Sequence, residues 1–506
     1  MPLRPYSLGC HSCRRMKVKC DEEKPQCGRC IRARRVCPGY RNTRQLVFHS
    51  MNAELASRAG ISRLSQAHAP IASPGHTGLT GAIASVSFAP RALTQSSREW
   101  DAKAISYFLH NYSFAPTKDG PGHLGSLPYL LGSSANGTGY LESAVLAAGS
   151  ASLANITGLT RLGRIAEKYY GETLRLLSVT LEDPAEASSD ATLAAIIVLQ
   201  KYEAIVGITS VSGDPHDKGL IQLLRLRGNA RSGTDSENDL LRIIHGRVHT
   251  NSVGGLSPSQ IEVGYDVEAV DIPTYQHELW RLIRETSQCC SEARGIISDS
   301  CKGVFKSEVI QSLDHVLSAY LGLLDWQATL PSSLVYQSCN IPGQDDLGLR
   351  QGTFQEKYHL FKNIHQGGTW ITFWCTLIYA LQTLVHISSL PLVQQILGHG
   401  WNQSWGFIRR LRDTVDEICA CVPYMMVDVD QSGLPTIGKD GKALGSFFLL
   451  RGLYVASCVE EMASVQREYV MRTLLRIAHI KGIKLALRAR SRLFSQHGCT
   501  ESHCRL

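Results

Sequence analysis

The chain has no apolar run near its start. Met1, Pro2, Leu3, Arg4 and Pro5 lead straight into charged sequence, so no secretory signal is expected. A reducing compartment is then the better setting for its 16 cysteines, and clustered cysteines there more often bind metal than pair as disulfides. On that reading the four Asn-x-Ser/Thr sequons, at Asn111, Asn136, Asn155 and Asn402, are chance matches. Strand-like alternation bounded by turn residues is nearly absent, which points away from a β architecture. Enzyme signatures are missing too: there is no G-x-G-x-x-G after a strand, no P-loop, no G-x-S-x-G and no H-E-x-x-H, so no catalytic residues are assigned. The glycines and lysines of Gly438–Gly445 lack P-loop spacing and its Ser/Thr, and read as a loop. Asp, Glu, Lys and Arg are all absent from Gly367 to Ile408, and Trp370–Val385 is strongly apolar. A membrane span needs about 20 apolar residues. Here Thr372, Thr376, Gln382, Thr383 and His386 interrupt the run and Pro391 closes it, so a buried core helix is expected and no membrane partner.

What is present is unevenly placed. The chain has 506 residues, 43% of them hydrophobic and 19% charged, enough to bury a full-sized core in two to four domains. Its net charge of +8 looks unremarkable until it is divided. The first 50 residues hold twelve basic and three acidic side chains, a net +9, which leaves the other 456 residues at −1. The cysteines divide in the same way, six of them lying between positions 10 and 37.

Those six read C-x2-C-x6-C-x6-C-x2-C-x6-C, at Cys10, Cys13, Cys20, Cys27, Cys30 and Cys37. A shift of 17 carries the first three onto the last three, so the unit is duplicated and two similar metal-binding halves are expected. Two separate four-coordinate zinc ions would need eight thiolates, and six suffice if two cysteines bridge both metals. A segment this small buries little apolar surface, so metal should supply most of its folding free energy, on the order of 10 kcal/mol. Between Cys13 and Cys20, Arg14 and Lys17 are three apart and Arg15 and Lys19 four apart, so a short helix would carry two adjacent basic stripes.

The run Cys13-Arg-Arg-Met-Lys-Val-Lys-Cys20-Asp-Glu-Glu-Lys-Pro25-Gln-Cys27-Gly-Arg-Cys30 resembles the fungal zinc binuclear cluster (Zn(2)-C6) transcription factors. That resemblance implies two Zn²⁺ ions held by the six cysteines, with Cys10 and Cys27 bridging. It also implies a first helix that enters the DNA major groove at a CGG triplet, with Lys17 as the base contact to guanine. Met16 stands where family members often carry a second basic residue. Arg14, Arg15 and Lys19 fit phosphate contacts, as do Arg32, Arg34 and Arg35 in the second half, which could also serve as an import signal.

Residues 1–45 are therefore expected as a zinc cluster DNA-binding domain, 46–95 as a flexible linker rich in Ser, Ala, Gly, His and Pro, 96–495 as a large all-α domain, and 496–506 as a tail. Phe48, Met51 and Leu55 keep heptad spacing for one turn of the pattern, which Arg58, Gly60 and Ser62 break, so no conventional coiled coil is expected. Helical periodicity runs through Trp100–Phe108, Leu141–Leu153, Ile165–Leu181, Thr192–Ile205 (with Asp190 as its start signal), Glu278–Arg294, Lys306–Leu324, Trp370–His386, Trp405–Val422, Leu444–Ser464 and Val465–Arg488. Cys289, Cys290, Cys419 and Cys421 read as buried small apolar residues, and Lys481, Lys484, Arg488, Arg490 and Arg492 as a solvated basic face. Lys168-Tyr-Tyr, Leu181-Glu-Asp-Pro-Ala-Glu, Leu223-Leu-Arg-Leu-Arg-Gly228 and Leu453-Tyr-Val-Ala-Ser resemble, more loosely, the fungal-specific regulatory domain that accompanies the cluster.

The expected fold is mostly α, and the expected function is a nuclear, sequence-specific DNA-binding transcription factor for RNA polymerase II. Control of a metabolic or secondary-metabolite gene set is the family-level expectation. Its expected partners are double-stranded DNA and the transcription machinery, with a homodimer partner and a small-molecule effector as candidates. The alternative is a zinc-cluster nuclear cofactor that works through protein partners or an effector.

Overall fold

The structure is a computed structural model that describes residues 10, 12–13, 16, 18, 20–21, 27–35, 37, 89–117, 121–133, 139–208, 215–228, 235–252, 273–299, 306–341, 353–397, 403–436 and 442–497. By its internal contacts the chain divides into two units, Met1–Thr80 and Gly81–Leu506. Phe48–Leu55, most of the expected linker and residues 498–506 lie outside the described residues.

In the small unit the described helix is α1 (Gly28–Arg32), a single turn whose N-cap is Cys27. Its end is set by Arg34, a non-glycine residue in the left-handed region at φ 51°. The Arg35 N–H donates back to the Cys30 carbonyl at 2.9 Å, and the reversal carries the chain toward Cys37. The interior is sulfur: Cys10, Cys13, Cys27, Cys30 and Cys37 are buried, with Val18 and Cys20 packed against them.

The elements of the large unit include α2 (Ala89–Tyr112), α3 (Gly139–Thr157), α4 (Thr160–Thr180), α5 (Asp190–Val206), α6 (Asp235–Ser252), α7 (Thr274–Asp299), α8 (Lys306–Thr329), β1 (Gln337–Asn340), β2 (Lys357–Leu360), α9 (Ile364–Ser388), α10 (Gln403–Ala420), α11 (Ala443–Ser457), α12 (Ser464–Ile480) and α13 (Leu485–His497), with shorter helices between them and a further helix over Pro215–Arg227. α3 packs on α2, α4 and α5, while α9 packs on α7, α8, α10 and α11. The interior helices read as apolar on every side, whereas α4 and α10 are amphipathic and cover the outside. α9 is long and apolar enough to cross a membrane, yet 83% of its most apolar window is buried inside this unit, as a core helix would be. Trp370, Phe373 and Trp374 are its largest fully buried anchors. The Trp370 indole N–H donates to the Leu334 carbonyl at 3.0 Å and that of Trp326 to the Tyr275 carbonyl at 2.8 Å, so neither polar tip is stranded.

Every expected helical segment falls on a helix, with four differences. α5 is capped by Ser189, whose hydroxyl accepts the Thr192 N–H at 3.2 Å, and Asp190 is its first helical residue. The segment expected as Leu444–Ser464 ends at Ser457 and begins inside the supposed loop, at Ala443. Val465–Arg488 is two helices, parted at Gly482, whose φ of 71° no helix sustains. α2 starts at Ala89, within the stretch read as tether. Cys290, Cys419 and Cys421 are buried as expected, whereas Cys289 is only half-buried. Lys481 is not part of a solvated face: it is only 6% exposed. Two of the sequons are used inside the fold. The Asn155 amide donates to the Ile205 and Gly482 carbonyls at 2.9 and 2.7 Å, and the Asn111 side chain accepts the Ala443 N–H at 3.2 Å.

β1 and β2 pair antiparallel, with Gln337 opposite Leu360, and were not foreseen. Glu417 on α10 ties this hairpin to the helices. It accepts hydrogen bonds from Lys357 Nζ at 2.7 Å, His359 Nε2 at 2.9 Å and Tyr336 Oη at 2.6 Å. Burial pushes His359 below its ordinary range, so the ring is neutral; its Nε2–H donates to Glu417 and its Nδ1 accepts from Ser338 Oγ at 3.2 Å. Burial alone would raise Glu417, but the bonds from His359, Lys357 and Tyr336 outweigh it and hold the carboxyl down to about 2. A depressed carboxyl stabilises the fold above its unfolded value of about 4.3, and that contribution fades as pH falls toward 2. Glu417→Gln is expected to cost about 2 kcal/mol in urea unfolding at neutral pH and to flatten this acid limb. An unchanged urea midpoint would contradict the assignment.

Candidate metal centre and nucleic-acid interface

Two sets of four sulfurs come together in the small unit. One is Cys10, Cys13, Cys20 and Cys27; the other is Cys10, Cys27, Cys30 and Cys37; within each set all sulfurs lie within 4.8 Å of one another. Cys10 and Cys27 belong to both sets. Zinc binds thiolate at about 2.3 Å in a tetrahedron, which requires sulfur–sulfur edges of about 3.8 Å. The observed separations are 3.6 Å for Cys10–Cys27 and 3.8 Å for both Cys10–Cys30 and Cys13–Cys27. The Cys10–Cys27, Cys10–Cys30 and Cys13–Cys27 sulfurs stand well beyond the S–S bond length of about 2.05 Å, so none of these pairs is a disulfide. The donor set and its spacing fit two zinc ions with two bridging thiolates.

The backbone repeats the sequence duplication. Cys13 N–H donates to Cys10 Sγ at 3.4 Å, and 17 residues on Cys30 N–H donates to Cys27 Sγ at 3.3 Å. The bond from Met16 N–H to the Ser12 carbonyl (3.1 Å) recurs from Ala33 to Arg29 (3.2 Å), and that from Val18 to Cys13 (3.0 Å) recurs from Arg35 to Cys30 (2.9 Å). Each half is thus the same turn, with its first cysteine accepting an N–H at a helix start, where the helix dipole favours thiolate. Without metal, burial pushes the Cys13 thiol up to about 12 and Cys27 higher still, so the charge that zinc brings is what makes these groups ligands. Asp21 links the halves, its carboxylate accepting from the Arg29 N–H at 2.7 Å and from the Arg32 guanidinium at 3.4 Å.

The basic residues fare differently. Arg32, Arg34 and Arg35 are exposed around α1, as phosphate contacts must be, although the Arg32 pair to Asp21 and the Arg35 contact to the Met16 sulfur hold two of them in the metal domain's own surface. Arg14, Arg15, Lys17 and Lys19 lie outside the described residues. Sequence reasoning missed the carboxylate bridge of Asp21, which was visible only as one of three acids in a basic stretch.

Residues 8–46 match the family described as the fungal Zn(2)-Cys(6) binuclear cluster domain. A transcriptional regulatory protein of Schizosaccharomyces pombe, moc3, is 51% identical over 40 residues, 8% of each chain. An uncharacterized transcriptional regulatory protein of the same yeast is 53% identical over 32 residues, 6% of each chain. These two matches span less than a tenth of either relative. The transcription factor dbaG of Emericella nidulans is 20% identical over 400 residues, 75% of this chain and 89% of its own, a length that must include much of the helical unit. No solved structure matches.

Proposed function

We propose, from the premise that residues 8–46 are a fungal Zn(2)-Cys(6) binuclear cluster domain holding two zinc ions, that the chain is a nuclear, sequence-specific transcription factor acting on RNA polymerase II genes. The observation that carries this reading is the coincidence of a two-zinc sulfur cluster with all of the chain's excess positive charge. Two Zn²⁺ and six thiolates sum to −2, leaving the first 50 residues near +7, a compact cation suited to DNA. The cluster does no chemistry. It folds a segment too small to fold on apolar burial and fixes the direction of its basic turns.

In this reading the turn beginning at Ser12–Cys13 enters the major groove. Lys17 donates to guanine O6 and N7 of a CGG triplet. Arg14, Arg15, Lys19, Arg32, Arg34 and Arg35 contact phosphates and set the register. The helical unit is a fungal-type regulatory domain, and the match to dbaG over most of the chain supports its pairing with the cluster. Control of a metabolic or secondary-metabolite gene set is part of this proposal. Lys17→Ala is expected to cut the preference for a CGG duplex over a scrambled one by roughly 1–3 kcal/mol while leaving zinc content at two. An unchanged preference in competition binding would remove Lys17 from base reading.

A further inference from the structure

Inside the helical unit lies a cavity of about 300 Å³, the scale of a small organic ligand. Its walls come from α5, α6, α7, α9 and α11 together with the segment around His123. Aromatic and aliphatic side chains, among them Trp280, Phe447, Phe448, Ile197 and Leu279, form most of it. Five cationic side chains also line it (Lys201, Arg242, Arg247, Lys362 and Arg451), and among the described residues no Asp or Glu does. Asp217, outside the wall, takes Arg247 at 3.1 Å and the Gln200 amide at 2.8 Å, and the Arg451 guanidinium donates to the Thr250 carbonyl.

Of the two lysines in the wall, Lys201 is buried and Lys362 exposed. Lys201 is 2% exposed, and among the described residues no carboxylate lies within ion-pairing distance of its Nζ. What Nζ faces is the Phe447 ring, 4.3 Å from its centroid. Burial, with the Arg247 charge adding to it, pushes this lysine down to about 7. His123, 3% exposed, also lines the cavity, and its Nε2 has no hydrogen-bond partner among the described residues. Burial holds both His123 and the adjacent His365 below their ordinary range, so both rings are neutral and can give or take a hydrogen bond. Burying a cation costs several kcal/mol unless a counter-charge meets it. A wall of fixed cations, an unused imidazole nitrogen and an aromatic lining together describe a receptor for an anion with an apolar body.

We propose that this cavity binds a small organic anion, an aromatic or alicyclic body bearing a carboxylate or a similarly acidic group, with Lys201 as its charge partner and Trp280, Phe447 and Phe448 around the ring. Such a ligand would be an effector of the DNA-binding protein, and that consequence rests on the reading above, whereas the binding itself does not. Calorimetry on the full-length protein without DNA separates the two. The probes are three carboxylates (1-naphthoate, 2-naphthoate and 4-phenylbutyrate), each paired with its neutral amide. At least one carboxylate is expected to bind saturably and roughly tenfold tighter than its amide. Lys201→Met is expected to abolish that preference, and Lys201→Arg to restore it. Circular dichroism of each variant establishes that it folds. Equal affinity for acid and amide, a preference that survives Lys201→Met, or no saturable binding by any of the three carboxylates would overturn the proposal.

Discussion

Cys27→Ala is expected to strip both zinc ions from the chain together. Cys27 Sγ stands 3.6 Å from Cys10 and 3.8 Å from Cys13, and it belongs to both four-sulfur sets. Its loss leaves each set with three ligands and also removes the sulfur that accepts the Cys30 N–H at the start of α1. The lost cap accounts for about 1 kcal/mol, while metal binding supplies on the order of 10 kcal/mol to such a domain, so metal loss dominates. Cys13→Ala is the informative contrast, because Cys13 belongs to one set alone and its removal leaves the other four sulfurs in place. Zinc-to-protein ratios by native mass spectrometry separate the two: near zero for Cys27→Ala and above zero for Cys13→Ala. One zinc retained by Cys27→Ala would show that it does not bridge.

The second large effect is expected at Gly149. In α3 this residue meets α2 so closely that a Cβ built on it would lie 2.1 Å from the Ala104 carbonyl oxygen. Two effects oppose each other in Gly149→Ala. Alanine favours the helix by about 1 kcal/mol over glycine. Against that, the contact is with backbone rather than a movable side-chain tip, so α2 and α3 must separate, at a cost of about 3 kcal/mol or more. The clash wins, and the variant should be less stable in chemical unfolding despite its better propensity. A gain in stability would mean that the two helices do not cross at this distance. Gly445 presents the same situation against the Met425 carbonyl oxygen, at 2.2 Å, where α11 begins.

How much of this was legible in the sequence depended on how local the cause was. The cluster was legible because zinc's demand for four sulfurs leaves few arrangements for six cysteines at those spacings, and the 17-residue repeat reappears in the backbone bonds from Met16 to Ser12 and Ala33 to Arg29. Most long helices were legible from a period of 3.6, but α6 was missed although Leu240, Ile244 and Val248 keep that period on its buried face. Their breaks were harder. Gly482 ends a helix because its φ is positive and its carbonyl serves Asn155, 327 residues away in the chain, and periodicity carries no trace of that. The hairpin was hidden because each strand is four residues long and is held to α10 by Glu417, a long-range partner. Lys481 looked like the start of a solvated face, yet it is buried at the turn between α12 and α13. The cavity was wholly illegible: Lys201, Arg242, Arg247 and Arg451 sit on three different helices and read one at a time as ordinary polar positions.

The proposal turns on a two-zinc cluster with shared thiolates that presents a basic turn to DNA. Its most direct test is native mass spectrometry of the full-length protein, with the zinc-to-protein ratio read before and after titration with a CGG duplex and with a scrambled duplex. Two zinc ions per chain and selective retention of the CGG duplex are predicted. One zinc ion or none, or two with no discrimination between the duplexes, would contradict it.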